Sequence, residues 1–130
     1  MKILGLSILT SAISQDYRNV LSFSAEGGSA SMYLSVGAYL EIELATNPTT
    51  GFDWYLEGTT PACLSLNSST YEQDAKTIHR VGAPSVKRII YKAESICSGD
   101  LRFKNVRPWE ENKEPQGRVS IHVTTSASEL

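Results

Sequence analysis

The clearest prediction of the fold class comes from the stretch Leu40-Glu41-Ile42-Glu43-Leu44. Apolar and charged side chains alternate along it, as they do in a β-strand that has one buried face and one solvent-facing face. The same alternation returns in Phe52–Leu56, Ile89–Ala93, Leu101–Lys104 and Val119–Thr124. No stretch after residue 20 carries a clear helical period of apolar residues, so the chain is predicted to be all-β.

Residues typical of tight turns separate these stretches, which favours short strands packed face to face. The predicted turns contain Gly27-Gly28, Gly37, Asn47-Pro48, Gly58, Gly82, Ser98-Gly99-Asp100 and Pro115-Gln116-Gly117. Strands at such spacing predict a β-sandwich or a β-barrel. A chain of 130 residues is expected to form a single domain with a core of its own.

The charge balance argues against several classes of partner. The net charge is −2, from 12 basic and 14 acidic side chains, and the basic residues are scattered along the chain. A protein that binds nucleic acid or an anionic membrane would be expected to gather positive charge on one surface. No metal-ligand spacing is present, so neither a metal nor another cofactor is predicted.

The first residues have the pattern of a signal peptide. Lys2 is followed by the apolar stretch Ile3–Leu9 and then by Ala12 and Ser14, a small-x-small cleavage pattern. We therefore expect residues 1–14 to be removed, leaving 15–130 as the domain of a secreted or endolysosomal protein. The alternative is an ordinary first strand or helix of a cytoplasmic protein.

One uncharged loop stands out, and it reads Asn47-Pro48-Thr49-Thr50-Gly51-Phe52. Pro48 fixes its own φ and favours an extended Asn47, whereas Gly51 can adopt the backbone angle that the loop exit needs. A loop this stiff suits insertion into a pre-formed slot better than chemistry of its own.

Together with Gly82-Ala83-Pro84-Ser85 and Arg107-Pro108-Trp109, this loop resembles the chagasin family of cysteine-peptidase inhibitors. Family members carry Asn-Pro-Thr-Thr-Gly-aromatic in one loop, a Gly-x-Gly-Gly-type turn in a second and Arg-Pro-Trp in a third. The first and third are complete here, whereas Ser85 stands where a second glycine is usual. The resemblance runs from about Tyr39 to Val123.

The resemblance implies an immunoglobulin-like sandwich, monomeric when free, that inhibits papain-like cysteine peptidases reversibly. Three loops at one end would straddle the active-site cleft, with Thr49 and Thr50 against the enzyme's catalytic cysteine and histidine. The other two loops would grip the rims. Trp109 would be the anchor, and Arg107 would offer its planar fork to a carboxylate or a carbonyl of the enzyme.

Each loop also has a purely structural interpretation. Asn47–Phe52 and Gly82–Ser85 could be ordinary turns, and Trp109 could pack on the core. The acidic pair Glu110-Glu111 directly after Trp109 favours an exposed loop instead. Trp54, which alternates with apolar neighbours, is assigned to the core.

The cysteines and histidines do not suggest an enzyme. Cys63 and Cys97 could form a disulfide in an exported protein or could be buried fillers, and the family resemblance favours two separate thiols. His122 is expected to point outward with no orienting group, so a Cys–His dyad is not supported. Asn67-Ser68-Ser69 is an acceptor pattern for N-glycosylation if the chain is exported.

Two other functional classes compete with inhibition. An immunoglobulin-like adhesion or carbohydrate-binding module would share the scaffold and use another surface. It would be expected to place its aromatic residues on a sheet face, whereas the informative residues here fall in loops. A small hydrolase would need a nucleophile, a base or a metal site that the sequence does not offer.

Overall fold

The computed structural model describes residues 19–73, 85–110 and 112–128. These residues form eight strands: β1 Asn19–Phe23, β2 Gly27–Ser35, β3 Tyr39–Thr46, β4 Asp53–Glu57, β5 Leu64–Gln73, β6 Ser85–Ala93, β7 Ser98–Val106 and β8 Gly117–Ser126. The one helical segment in this part of the chain is a 3-10 turn, Pro48–Thr50. No helix within these ranges is long and apolar enough to cross a membrane. The predicted signal peptide, residues 1–14, lies outside the described residues.

The strands form two four-stranded sheets, ordered β1-β3-β6-β5 and β2-β8-β7-β4. Each sheet is mixed, because β1 pairs parallel to β3 and β2 pairs parallel to β8, whereas the remaining pairs are antiparallel. Side chains from both sheets join in one buried cluster. The prediction of an all-β, immunoglobulin-like sandwich is confirmed.

The alternating stretches supply the core, as predicted. Leu40, Ile42 and Leu44 are fully buried between the sheets, and burial of a side chain of this size stabilises the fold by roughly 1.5–3 kcal/mol. The intervening Glu41 and Glu43 accept hydrogen bonds from the guanidinium of Arg88 on β6, at 2.8 and 2.9 Å. The inward positions of β6, β7 and β8 are buried in the same way: Ile89, Tyr91, Ala93, Leu101, Phe103, Val119, Ile121 and Val123.

Three details of the sequence-based pattern are wrong. Gly27-Gly28, predicted to be a turn, begins β2, and the turn lies just before it, closed by a hydrogen bond from the N–H of Gly27 to the carbonyl oxygen of Ser24 at 2.9 Å. Ser98-Gly99-Asp100 is not a turn but the start of β7. A Cβ on Gly99 would lie 3.2 Å from the Cβ of Pro61, so the glycine permits a close approach to a neighbouring loop. The alternation in Phe52–Leu56 predicts that Leu56 shares the buried face with Trp54, yet Leu56 is 41% exposed on β4, an edge strand of its sheet.

The cysteines also differ from expectation. Cys63 and Cys97 form a disulfide, so the prediction of two separate thiols is wrong. Cys63 precedes β5 in one sheet and Cys97 precedes β7 in the other, and the fold brings their Cα atoms to 5.6 Å. That separation is in the range that a disulfide requires. The bond therefore links the two sheets covalently.

Candidate functional site

The loop from Asn47 to Phe52 is closed by its own side chains. Asn47 caps the 3-10 turn: its Oδ1 accepts hydrogen bonds from the N–H of Thr49 at 3.3 Å and from the Thr49 hydroxyl at 2.8 Å. Its backbone is extended, at φ −134° and ψ 97°, as the following Pro48 predicts. Gly51 ends the turn at φ +83°, a left-handed conformation that favours glycine. Hydrogen bonds within the loop therefore close the turn.

The hydroxyl of Thr50 also serves the loop itself. It donates to the carbonyl oxygen of Asn47 at 2.7 Å and accepts from the N–H of Phe52 at 3.3 Å. Both threonine hydroxyls thus have partners within the loop, although Pro48, Thr49 and Thr50 are all exposed. The loop presents an uncharged tip whose polar groups are already engaged.

The loop that follows β7 contacts the Asn47–Phe52 loop through Arg107. The Nε of Arg107 donates to the carbonyl oxygen of Thr50 at 2.8 Å, and its guanidinium lies 4.4 Å from the centre of the Phe52 ring. Glu110 accepts a hydrogen bond from the same guanidinium at 3.5 Å. Arg107, which the sequence suggested as a fork for the enzyme, holds the neighbouring loop of its own chain.

Trp109 is 67% exposed, so the interpretation that places it in the core is wrong and the expected loop position is confirmed. Its ring lies over the first loop: a Cβ on Gly51 would come within 2.3 Å of the ring atom Cη2 of Trp109. Gly51 therefore has a second role, since any larger residue would displace the tryptophan. Trp54 is fully buried, as predicted.

The second predicted loop is only partly described. Gly82, Ala83 and Pro84 lie outside the described residues. Ser85 lies not in a turn but at the first position of β6, where it is buried and pairs with Thr46 on one side and Gln73 on the other. Since Thr46 directly precedes the Asn47–Phe52 loop, residues 73 and 85 lie at the loop-bearing end of the sandwich.

Sequence reasoning missed a groove of about 580 Å³ beside these loops. Loop residues Pro48, Gly51, Phe52, Pro108 and Trp109 line one side, and strand residues Thr46, Asp53, Tyr55, Tyr71, Glu72, Gln73 and Ser85 line the rest. The outward position of Tyr55 on the strand after Phe52 was the one available signal. Tyr71 comes from a distant strand, so only the folded chain brings it here.

Lys87 contacts two of the aromatic residues that line the strand side of this groove. The Nζ of Lys87 donates to the carbonyl oxygen of Trp54 at 2.7 Å, and lies 5.7 and 5.4 Å from the ring centres of Tyr55 and Tyr71. The Tyr71 hydroxyl in turn donates to the carboxylate of Asp53. Burial, followed by this hydrogen bond, raises the pKa of Tyr71, so the phenol stays protonated.

Neither a Cys–His dyad nor a metal site is formed by the described residues. Both cysteines are consumed by the disulfide, which excludes a Cys–His dyad. His122 is exposed, as predicted, but it does have a partner: its Nδ1 lies 2.8 Å from the Asp100 carboxylate and lowers the pKa of that carboxyl. Among the described residues no group of three or more His, Cys, Asp or Glu side chains could hold a metal ion.

Known proteins share this fold and sequence pattern. The model of the chagasin family of peptidase inhibitors matches residues 33–123. Amoebiasin-2 of Entamoeba histolytica is 33% identical over 94 residues, covering 72% of this chain and 76% of the relative. Chagasin of Trypanosoma cruzi is 25% identical over 99 residues, covering 72% and 87%. The crystal structure of the cysteine protease inhibitor EhICP2 from Entamoeba histolytica aligns with a TM-score of 0.71 at 26% identity, covering 85% of this chain and 98% of that one.

Proposed function

This chain belongs to the chagasin family of peptidase inhibitors, and we propose that it blocks the active-site cleft of papain-like cysteine peptidases with loops from one end of its sandwich. The family consists of inhibitors and not of enzymes, in agreement with the sequence-based expectation. The observation that carries the proposal is the pre-formed Asn47–Phe52 loop, which Arg107 holds from the side.

Pre-organisation is what such a loop contributes to binding. Ordering a flexible loop on association costs free energy that reduces affinity. In the free protein, hydrogen bonds from within the loop and from Arg107 already fix this turn. Binding therefore requires little further ordering of the loop. A 3-10 turn also does not present an extended scissile peptide, which fits reversible inhibition without cleavage.

The proposed roles follow from position. Thr49 and Thr50, exposed at the tip, would lie nearest the catalytic thiol of the enzyme. Trp109, beside them, would bury its large ring against one rim, as aromatic anchors commonly do. Gly82, Ala83 and Pro84 would contact the other rim, and buried Ser85 would support them from β6.

Titration of papain with the purified protein tests the proposal. The wild-type chain should inhibit, remain uncut by mass spectrometry and release active enzyme on dilution. Thr50→Arg should abolish inhibition, because a bulky charge at the tip cannot enter the cleft without burial of an unpaired cation. Thr59→Arg is the matched control, since Thr59 is an exposed threonine in the loop that follows β4, at the opposite end of that strand from the Asn47–Phe52 loop. Equal inhibition by both variants would show that the Asn47–Phe52 loop does not enter the cleft.

A further inference from the structure

A modification motif that inhibition does not use lies on the edge of one sheet. Asn67-Ser68-Ser69 matches the N-glycosylation acceptor pattern Asn-x-Ser/Thr. It is the one such acceptor in the chain: the other asparagines are Asn19, Asn47, Asn105 and Asn112, and none has Ser or Thr two residues on except Asn47, which Pro48 disqualifies. Asn67 lies in β5 and is exposed.

The local backbone leaves Asn67 accessible. β5 is an edge strand that pairs only with β6 in its sheet. Its register shifts at this point, so that Leu66 pairs with Tyr91 and Ser68 with Ile90 while Asn67 has no partner opposite it. An extra residue of this kind is a β-bulge, which bends the strand and interrupts its regular pairing. A carbohydrate on Asn67 would displace no core side chain.

The disulfide indicates the compartment, independently of the N-terminal residues. Cys63 and Cys97 are bonded, and disulfides form and persist in oxidising environments such as the secretory pathway. Acceptor asparagines are glycosylated in secreted proteins. The bridge and the acceptor therefore point to the same route, and Cys63 directly precedes the strand that carries Asn67.

We propose that the exported protein carries an N-linked glycan on Asn67. The glycan would lie away from the inhibitory loops, because Asn67 is six positions along β5 from Gln73, which is about 20 Å at the usual rise per residue. It would cover an exposed edge where Leu66 is 59% accessible to solvent. Unpaired edge strands are prone to pair with other chains, and a bulky hydrophilic group opposes that association.

Expression of the full chain, with its own N-terminal residues, in a eukaryotic secretory cell tests the proposal. The secreted protein should lose mass on treatment with peptide N-glycosidase, and Asn67 should become aspartate. Asn67→Gln and Ser69→Ala should abolish this shift. Ser68→Ala is the matched control, since it removes a neighbouring serine but keeps the acceptor pattern.

A secreted protein of unmodified mass would overturn the proposal, and so would a wild-type chain retained in the cytosol. The outcome is separable from that of the inhibition test, because papain titration of the Asn67→Gln variant should give the wild-type inhibition constant. A glycan that weakened inhibition at least tenfold relative to Asn67→Gln would contradict its placement away from the loops.

Discussion

The two ends of the sandwich are secured by different means. At one end, the disulfide between Cys63 and Cys97 joins the sheets, and the buried hydroxyl of Thr125 accepts a hydrogen bond from the N–H of Cys97 at 2.7 Å. At the other end, the tips of the loops 47–52 and 107–110 are exposed, and the loops are held by hydrogen bonds within and between them. No covalent link lies among the described residues of the loop end.

This difference between the two ends suggests that one end mainly supports the stability of the fold and the other mainly supports binding. The disulfide stabilises the fold mainly by constraining the unfolded chain, and this effect does not depend on the loops at the other end. The loop tips therefore do not have to be buried to keep the domain folded. Loops on a rigid scaffold can then carry exposed, function-bearing residues. Substitutions in the core or at the disulfide end should therefore change the free energy of unfolding, and substitutions at the loop tips should change affinity.

Trp54→Ala should have the largest effect. It tests whether the buried tryptophan beneath the loops is needed for the stability of the fold. Trp54 is fully buried and its Nε1 donates to the carbonyl oxygen of Ala45 at 2.9 Å. Truncation leaves a large cavity and should lower the free energy of unfolding by about 3–5 kcal/mol, measured by denaturant titration. Trp54→Phe, which keeps most of the ring, should lose clearly less. A loss of under ~1 kcal/mol for the alanine variant would place Trp54 outside the core.

Removal of the disulfide tests the other end. The bridge spans a sequence separation of 34 residues, and the chain-entropy estimate for a loop of that length is about 3–4 kcal/mol. The Cys63→Ala/Cys97→Ala protein should unfold at a lower temperature by calorimetry. Its inhibition constant for papain, measured where it is still folded, should match the wild type. A weakened inhibition constant would mean that the two ends are coupled.

Trp109→Ala should give the reverse result. An exposed anchor that becomes buried on binding costs ~2–4 kcal/mol on truncation, or roughly 30- to 1,000-fold in affinity. Stability should change little, because the ring is 67% exposed in the free protein. The measurements are inhibition constants and melting temperatures for Trp109→Ala beside Trp54→Ala. If both variants melt at the same lowered temperature, Trp109 belongs to the core and the division between the ends fails.

Much of the fold could be predicted from the sequence, because strands with one buried face alternate visibly. Leu40–Leu44 and Val119–Thr124 are examples. β1, β2 and β5 were not predicted, since Asn19–Phe23 is short, Gly27–Ser35 is rich in small residues and Leu64–Gln73 is exposed along most of its length. Such edge strands are specified by their pairing partners more than by their own pattern.

At the site, the loop motifs were visible but their contacts were not. The extended Asn47 and the left-handed Gly51 follow from local rules about proline and glycine. The bond from Arg107 to Thr50 joins residues 57 positions apart and depends on the register of β4 against β7. For Cys63 and Cys97 the sequence left both a disulfide and two thiols open, because sequence separation does not reveal which strand ends meet, and the family resemblance favoured the wrong alternative.

Arg107→Lys should have a smaller effect. It tests whether Arg107 supports inhibition by holding the Asn47–Phe52 loop in position. Lysine keeps the charge but loses the planar group that stacks on Phe52 and bonds Thr50. We expect papain binding to weaken by about 1.5–3 kcal/mol, which is the usual contribution of one hydrogen bond involving a charged group. Arg102→Lys, at an exposed arginine paired with Asp100, is the control and should bind normally. Amide hydrogen exchange at Gly51 should quicken only in the Arg107 variant; an unchanged rate with weaker inhibition would assign Arg107 to direct enzyme contact instead.

Thr50→Ala should have the smallest effect, because the hydroxyl acts within the loop. The hydroxyl donates to the carbonyl oxygen of Asn47 and accepts from the N–H of Phe52. Its loss should weaken papain binding by ~0.5–1.5 kcal/mol, the usual contribution of one hydrogen bond. The circular dichroism spectrum should not change, since the residue is exposed and lies outside the core. Thr50→Ser retains the hydroxyl and should recover most of the loss. If serine binds as weakly as alanine, the methyl group and not the hydroxyl bond sets the loop, and the loop end is held by packing more than by its polar contacts.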